Sequence, residues 1–229
     1  MANMPEHDNH PDHPPTALTV GLRRTSEHME NPHALEEDEL RAHLQEDPND
    51  QAAFLALVDL VLDNATHLQD PGDDPLNAHT AEDSEKQRRH AVLWALAEEF
   101  AGHPRGWYPL IELARLSLAT NEGEGLRRLN AGISRDDTGQ ALARSIDMLR
   151  ESHKAQEAYA LGSGHWRARD HHPVAGVAVI RAALDCGKVT EAERHLEEML
   201  EYSSAAQIGE LDPNLLHDVQ EAVRTHDGG

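Results

Sequence analysis

The chain has 229 residues, of which 38% are hydrophobic and only 3% aromatic. Residues that favour strands are scarce, whereas Ala, Leu, Glu and Arg dominate, so the composition predicts an all-α fold and argues against a sheet protein. The net charge is −22, and residues 1–85 alone carry 20 acidic but 3 basic side chains, which argues against nucleic acid as a general ligand.

The cellular setting is inferred from what the sequence lacks. One cysteine, Cys186, cannot form an intramolecular disulfide, which is typical of a reducing cytosol. Residues 1–15 have no apolar core and do not resemble a secretory signal. The longest apolar run, Phe54 to Leu62, is short and interrupted by Asp59, so no membrane span is expected. We therefore predict a cytoplasmic protein.

The N-terminal third divides into three segments. Residues 1–33 are acidic and rich in His and Pro, so they are expected to be disordered. Residues 34–65 form a predicted helical hairpin, in which helices over 35–45 and 51–64 are joined by the Asp47-Pro48-Asn49-Asp50 turn. Residues 66–84 contain Asp-Pro-Gly-Asp-Asp-Pro and are expected to be an acidic flexible linker.

Residues 85–226 are predicted to be a second helical region, with 227–229 as a tail. Apolar periodicity predicts helices over 85–101, 104–120, about 122–133, 138–161, 173–186, 190–202 and 213–224. The helix over 138–161 is expected to be long and to stop at Gly162-Ser163-Gly164. Gly125 and Gly132 weaken the helix that ends near Ile133.

Between Pro173 and Leu200 the chain has two predicted helices with Gly187 at the turn between them, Ala183 in the first helix and Ala192 in the second. This stretch resembles a tetratricopeptide repeat, a family of stacked helix pairs that places small residues where the two helices cross. Residues 47–57 and 103–133 resemble the pattern less well. The resemblance implies helical hairpins stacked as a short tetratricopeptide-like α-solenoid. The alternative is another kind of helical bundle.

Such an array implies a groove lined by the first helix of each pair, which holds a partner peptide or helix. Carried over by position, the third unit presents Val177, Arg181 and Asp185 there. In the middle unit the corresponding stripe, opposite Trp107, is formed by Arg105, Tyr108, Glu112 and Arg115. The alternative is an ordinary solvated helix face.

The segment from Arg127 to Arg181 is locally basic, with nine Lys/Arg against six Asp/Glu, and it includes Arg167 and Arg169. Guanidinium groups bind carboxylates through two parallel hydrogen bonds, so an acidic partner, or the chain's own acidic N-terminus, is a candidate ligand. The alternative is that these arginines pair with neighbouring acids of the same chain.

Catalytic and metal motifs were sought and each candidate lacks its context. The 17 histidines include no HExxH pair, and Gly162-Ser163-Gly164-His165 lacks the strand–turn–helix of a reactive serine. The sequence therefore predicts no catalytic residue, no metal ligand and no cofactor.

The leading hypothesis is a non-catalytic interaction module that binds another protein. The alternative is an enzyme or metal-dependent small-molecule-binding protein whose site lies near His165, Trp166, Arg167 and Arg169. A third hypothesis is self-association through an exposed Trp107 or Trp166.

Overall fold

The computed structural model describes residues 32–67 and 78–228. In these ranges the predicted all-α fold is confirmed, since every regular element is a helix and no strand occurs. The eleven helices of the described ranges are α1 (Pro32–Glu46), α2 (Gln51–His67), α3 (Ala78–Ala101), α4 (Tyr108–Leu118), α5 (Glu122–Ile133), α6 (Gln140–Glu151), α7 (Ala155–His165), α8 (Pro173–Asp185), α9 (Val189–Leu200), α10 (Ala205–Leu211) and α11 (Leu215–Asp227).

The N-terminal hairpin forms where the sequence predicts it. The Asp50 carboxylate accepts a hydrogen bond from the Ala53 amide at 3.0 Å and so caps the start of α2. Residues 1–31 of the predicted disordered segment and 68–77 of the predicted linker lie outside the described residues. The third helix begins at Ala78, seven residues before the predicted start at Glu85.

The predicted long helix over 138–161 is wrong, because it consists of two helices, α6 and α7. His153 adopts a positive φ of 58°. The Lys154 amide bonds back to the Leu149 carbonyl at 2.9 Å, and the His153 amide to that of Arg150 at 3.0 Å. These are the two bonds of a Schellman ending, with histidine in the position that glycine usually occupies. Without a glycine there, the sequence carried no ordinary stop signal.

Gly162, Gly125 and Gly132, which were expected to stop or weaken helices, lie inside helices at close contacts with their neighbours. A Cβ atom on Gly162, within α7, would lie 2.9 Å from Val179 and 3.0 Å from Ile146. One on Gly125, within α5, would lie 2.7 Å from Leu118. The missing side chains let neighbouring helices approach, and this packing outweighs the weak helix propensity of glycine.

The helices stack as successive pairs. Each of α4, α6 and α8 packs against the helix that follows it in the chain, and α4 contacts α6, which contacts α8. We call these the first helices. The second helices of these pairs are α5, α7 and α9. We group α3 with them, because it contacts α4 as α5 contacts α6 and as α7 contacts α8. The pair from Pro173 to Leu200 is confirmed as a helix pair, with Gly187 at φ 69° in its turn. Its tetratricopeptide character remains a prediction.

The predicted helix start at Pro104 is wrong, because α4 begins at Tyr108. The Asn49 side chain, from the α1–α2 turn, explains this boundary. Its oxygen accepts hydrogen bonds from the Trp107 and Tyr108 amides at 2.8 and 3.0 Å, which satisfies free N–H groups at the start of α4. The N-terminal hairpin is therefore fixed to α4 by polar contacts as well as by apolar packing.

A helix that spans a membrane must be both long and apolar. No helix in residues 32–67 and 78–228 meets both requirements.

Candidate functional site

Two adjoining cavities open along the first helices. One, of about 330 Å³, is lined by Arg144, Asp147, Arg150 and Glu151 of α6 and by Asp185 of α8. The other, of about 360 Å³, shares two of these residues and continues along α8. Its lining is Asp147, Arg150, Val174, Val177, Ala178, Arg181, Leu211 and Asp212. We call this combined surface the first-helix face. Its lining is mostly polar, with an apolar stretch at Val174, Val177 and Ala178.

Ion pairs connect the helices across this face. Arg150 on α6 lies 2.6 Å from the Asp185 carboxylate on α8 and 3.3 Å from Asp147 on its own helix. Arg115 on α4 lies 3.7 Å from Glu151 on α6. Burial raises the pKa of Asp147, and the positive charge of Arg150 opposes the rise. Opposite charges thus alternate along the groove and hold the three first helices in register.

Arg144 differs from the other arginines of the face. It forms no ion pair with any residue in the described part of the chain, and its guanidinium donates a hydrogen bond only to the neutral side chain of Gln51 on α2. A guanidinium without a carboxylate keeps its capacity for a bidentate contact with an anionic group. Arg144 is therefore the residue of this groove that is best able to bind a partner's carboxylate.

Arg181 is already occupied by acids of the same chain. Its guanidinium bonds both oxygens of Asp212, at 2.6 and 2.7 Å, and one oxygen of Asp218 at 2.6 Å. The hydrogen bonds between Arg181 and Asp212 are the main reason that the pKa of Arg181 is raised and the pKa of Asp212 is lowered. Arg181 thus joins α8 to the α10–α11 region. Asp185 lines the first cavity and Val177 the second, and their role in binding a partner remains a prediction.

The predicted stripe on α4 is not an exposed face. Tyr108 and Glu112 are only 2% and 7% exposed, whereas Arg105 and Arg115 are exposed. The Tyr108 ring packs edge-on against Phe54, with centroids 5.5 Å apart, because α2 covers this side of α4. Burial and the nearby charge of Glu112 raise the pKa of the Tyr108 hydroxyl. The stripe was predicted to be a solvent-facing surface opposite Trp107, but Tyr108 is buried and Trp107 is half-buried, so Trp107 is the more exposed of the two aromatic residues.

The residues of the connector between α7 and α8 point into different surroundings. His165 bonds the Asn130 side chain at 3.0 Å, and Trp166 packs edge-on against His195 with ring centroids 5.2 Å apart. Arg167 and Arg169 are exposed. A cavity of about 470 Å³ adjoins the connector, and its polar lining includes Arg169, His171, His172, Tyr202, Ser203, Gln207 and Glu210.

His195 is a buried polar residue that the sequence analysis missed. It is 4% exposed and lies between the rings of Tyr159 and Trp166. Its position one residue before Leu196 and three after Ala192 places it on the apolar stripe of α9, and this spacing was the available signal. Burial lowers the pKa of His195, assisted by the charge of neighbouring Arg194 and opposed by Glu198.

We expect His195 to make the fold less stable below neutral pH. Its pKa is lower in the folded chain than the ordinary value of 6.5, so the unfolded chain binds the proton first and stability is lost as pH falls below about 6.5. His171, whose pKa is also lowered, adds to this loss. Urea unfolding of the wild type and His195→Gln at pH 7 and pH 5 should show a smaller pH-dependent loss for the variant. Equal losses would contradict the assignment.

Among the described residues, no group of three or more His, Cys, Asp or Glu side chains is arranged so that it could hold a metal ion. Comparison with protein-family models, with curated proteins and with solved structures gives no match.

Proposed function

We propose that the protein is a non-catalytic interaction module that binds a segment of another protein along the first-helix face. The observation that supports this most strongly is the pair of adjoining cavities of about 330 and 360 Å³, which share Asp147 and Arg150 in their walls. An elongated groove with alternating charges and an apolar stretch suits an extended peptide or a helix better than a compact metabolite.

The chemistry of the groove suggests how a partner would bind. Arg144, which has no acidic partner among the described residues, would contact a carboxylate of the bound segment. Val177, beside the second cavity, would contact an apolar side chain. The ion pairs of Arg150 and Arg181 already hold the groove walls in place, so little conformational entropy would be lost when a partner binds.

Site-specific photo-crosslinking in the native cell extract tests this proposal. A photoreactive amino acid at position 177 should capture a specific protein, whereas the same group at the exposed position 127 on α5 should not. Arg144→Glu should reduce the captured amount, because it reverses the unpaired charge of the groove. Arg127→Glu is the matched charge control and should have no effect. Equal capture at both positions, or no capture at position 177, would contradict the proposal.

A second candidate is small-molecule binding at the connector. The supporting observation is the polar cavity of about 470 Å³ beside Arg169, His171 and His172. A panel of small organic acids and phosphate esters should raise the melting temperature of the wild type but not of Arg169→Ala if this cavity is a ligand site. The absence of any shift that depends on Arg169 would remove this candidate.

A further inference from the structure

Side chains of successive second helices contact one another along the outer side of the stack. Arg128 of α5 lies 3.2 Å from Glu98 of α3, and its guanidinium stacks 4.9 Å from the Trp94 ring. His165 at the end of α7 bonds Asn130 of α5 at 3.0 Å.

The same relation holds one step further along the chain. Lys188, at the start of α9, stacks 5.1 Å from the Tyr159 ring of α7, and His195 of α9 lies against the same ring with centroids 6.2 Å apart. From α3 to α7, each second helix is therefore partly covered by the second helix of the next pair.

The outer side of α9 has no such cover in the described part of the chain. The next helix to pack on α9 is α11, which also contacts α8 and so lies where the next first helix would lie. Between α9 and α11 remains an open groove of about 430 Å³, with Leu196, Leu200, Val219 and Val223 as its apolar lining. Leu200 is 42% exposed there. We call this the α9–α11 groove.

The polar rim of this groove carries uncompensated negative charge. Glu193 and Glu197 of α9 line it and make no ion pair with any residue of the described ranges, whereas Arg224 of α11 is paired with Glu221 of its own helix. An apolar floor beside two unpaired carboxylates is complementary to a helix that has apolar residues on one side and Lys or Arg on the flank.

We propose that the α9–α11 groove binds an amphipathic, basic helix of a partner protein. The bound helix would lie against α9 as each second helix lies against the one before it. Its apolar side chains would contact Leu200 and Val223, and its cationic side chains would lie beside Glu193 and Glu197. A second copy of this chain is a poorer occupant, because it would bring two acidic rims of a protein with net charge −22 together. This surface is separate from the first-helix face and does not depend on its function.

Two labelled 16-residue peptides test the proposal directly. The first is a helix of Leu, Ala and Lys, with Leu at positions i, i+3, i+4 and i+7, and the second replaces Lys by Glu. Fluorescence anisotropy with the full chain should give at least about tenfold tighter binding of the basic peptide, because charge complementarity selects the partner. The binding should weaken as salt concentration rises.

Variants locate the binding on the protein. The double variant Leu200→Ser/Val223→Ser should lower the affinity for the basic peptide by about tenfold or more, since apolar anchors dominate such interfaces. The double variant Glu193→Gln/Glu197→Gln leaves the apolar residues intact. It should lower the affinity for the basic peptide by about fivefold and make that affinity less dependent on salt concentration. Leu35→Ser is the matched control, since Leu35 is a 56% exposed leucine of α1, and should leave the affinity unchanged. Circular dichroism checks that every variant is folded.

Three results would overturn the proposal. The first is equal binding of both peptides, or binding that is insensitive to the groove variants. The second is a wild-type dimer in sedimentation velocity that Leu200→Ser converts to a monomer, which would assign the groove to a second copy. The third is a tenfold gain in peptide affinity on removal of residues 1–31, which would assign it to the chain's own N-terminal segment.

Discussion

Phe54→Ala is expected to lower the free energy of unfolding by about 3–5 kcal/mol, the range found when a fully buried phenylalanine is truncated. The Phe54 side chain is completely buried. Its ring packs edge-on against Tyr108 of α4 and against Phe100 of α3, the latter with centroids 6.5 Å apart. Truncation would leave a cavity where three helices meet and would remove both aromatic contacts. Urea denaturation of purified wild type and variant measures the difference.

The controls separate the cavity from a general effect of losing an apolar side chain. Phe54→Leu keeps most of the volume and should cost less than half as much. Leu35→Ala removes an exposed side chain of α1 and should change the free energy of unfolding by less than about 0.5 kcal/mol. A loss below about 1 kcal/mol for Phe54→Ala would show that the N-terminal hairpin is not packed on α3 and α4 as described.

Arg135→Met is expected to cost about 2–4 kcal/mol, because a charged donor bonded to several carbonyls is worth more than a neutral hydrogen bond. One guanidinium nitrogen of this half-buried residue donates to the carbonyls of Ala101, His103 and Gly106 at 2.7, 2.9 and 3.0 Å. These carbonyls lie at the C-terminal end of α3 and in the following turn, where the helix dipole favours a positive charge. Methionine would fill the space and leave them without this donor.

Two further variants test the physical cause of that loss. Arg135→Lys retains a positive donor and should restore part of the stability, although it lacks the planar geometry of guanidinium. Arg127→Met is the matched control, because Arg127 is exposed and, among the described residues, its ion pair is with Glu124 of its own helix. It should change the free energy of unfolding by less than about 0.5 kcal/mol. A similar loss for Arg127→Met and Arg135→Met would contradict a specific role for the three carbonyls.

Helix pairs with strong local signals were predictable. The Asp47–Asp50 turn and the pair from Pro173 to Leu200 both appear where expected, since Asp50 caps α2 and Gly187 adopts positive φ. Of the predicted groove residues, Val177 and Asp185 lie in the cavities because they share one face of α8. In each case the deciding interaction joins residues within a few positions of one another.

The errors arose where distant residues decide the structure. Tyr108 has a polar tip and fitted an exposed stripe by spacing, but α2 covers it. Gly162 resembled a helix stop, yet it lies inside α7 where Val179 and Ile146 come close. Asp185, which pairs with Arg150, and the two aspartates that pair with Arg181 are 31 to 37 residues away along the chain. Short-range patterns do not contain these pairings.

The sequence by itself determined the all-α fold class, the acidic charge and most helix positions, because composition, apolar periodicity and capping act locally. Only the tertiary structure decided which arginines form ion pairs with carboxylates of the described residues and which do not. It pairs Arg181 with two aspartates, leaves Arg144 on a neutral glutamine, and exposes the apolar groove between α9 and α11. Whether a charge is available to a partner depends on what the folded chain brings beside it, and helical stacking determines that.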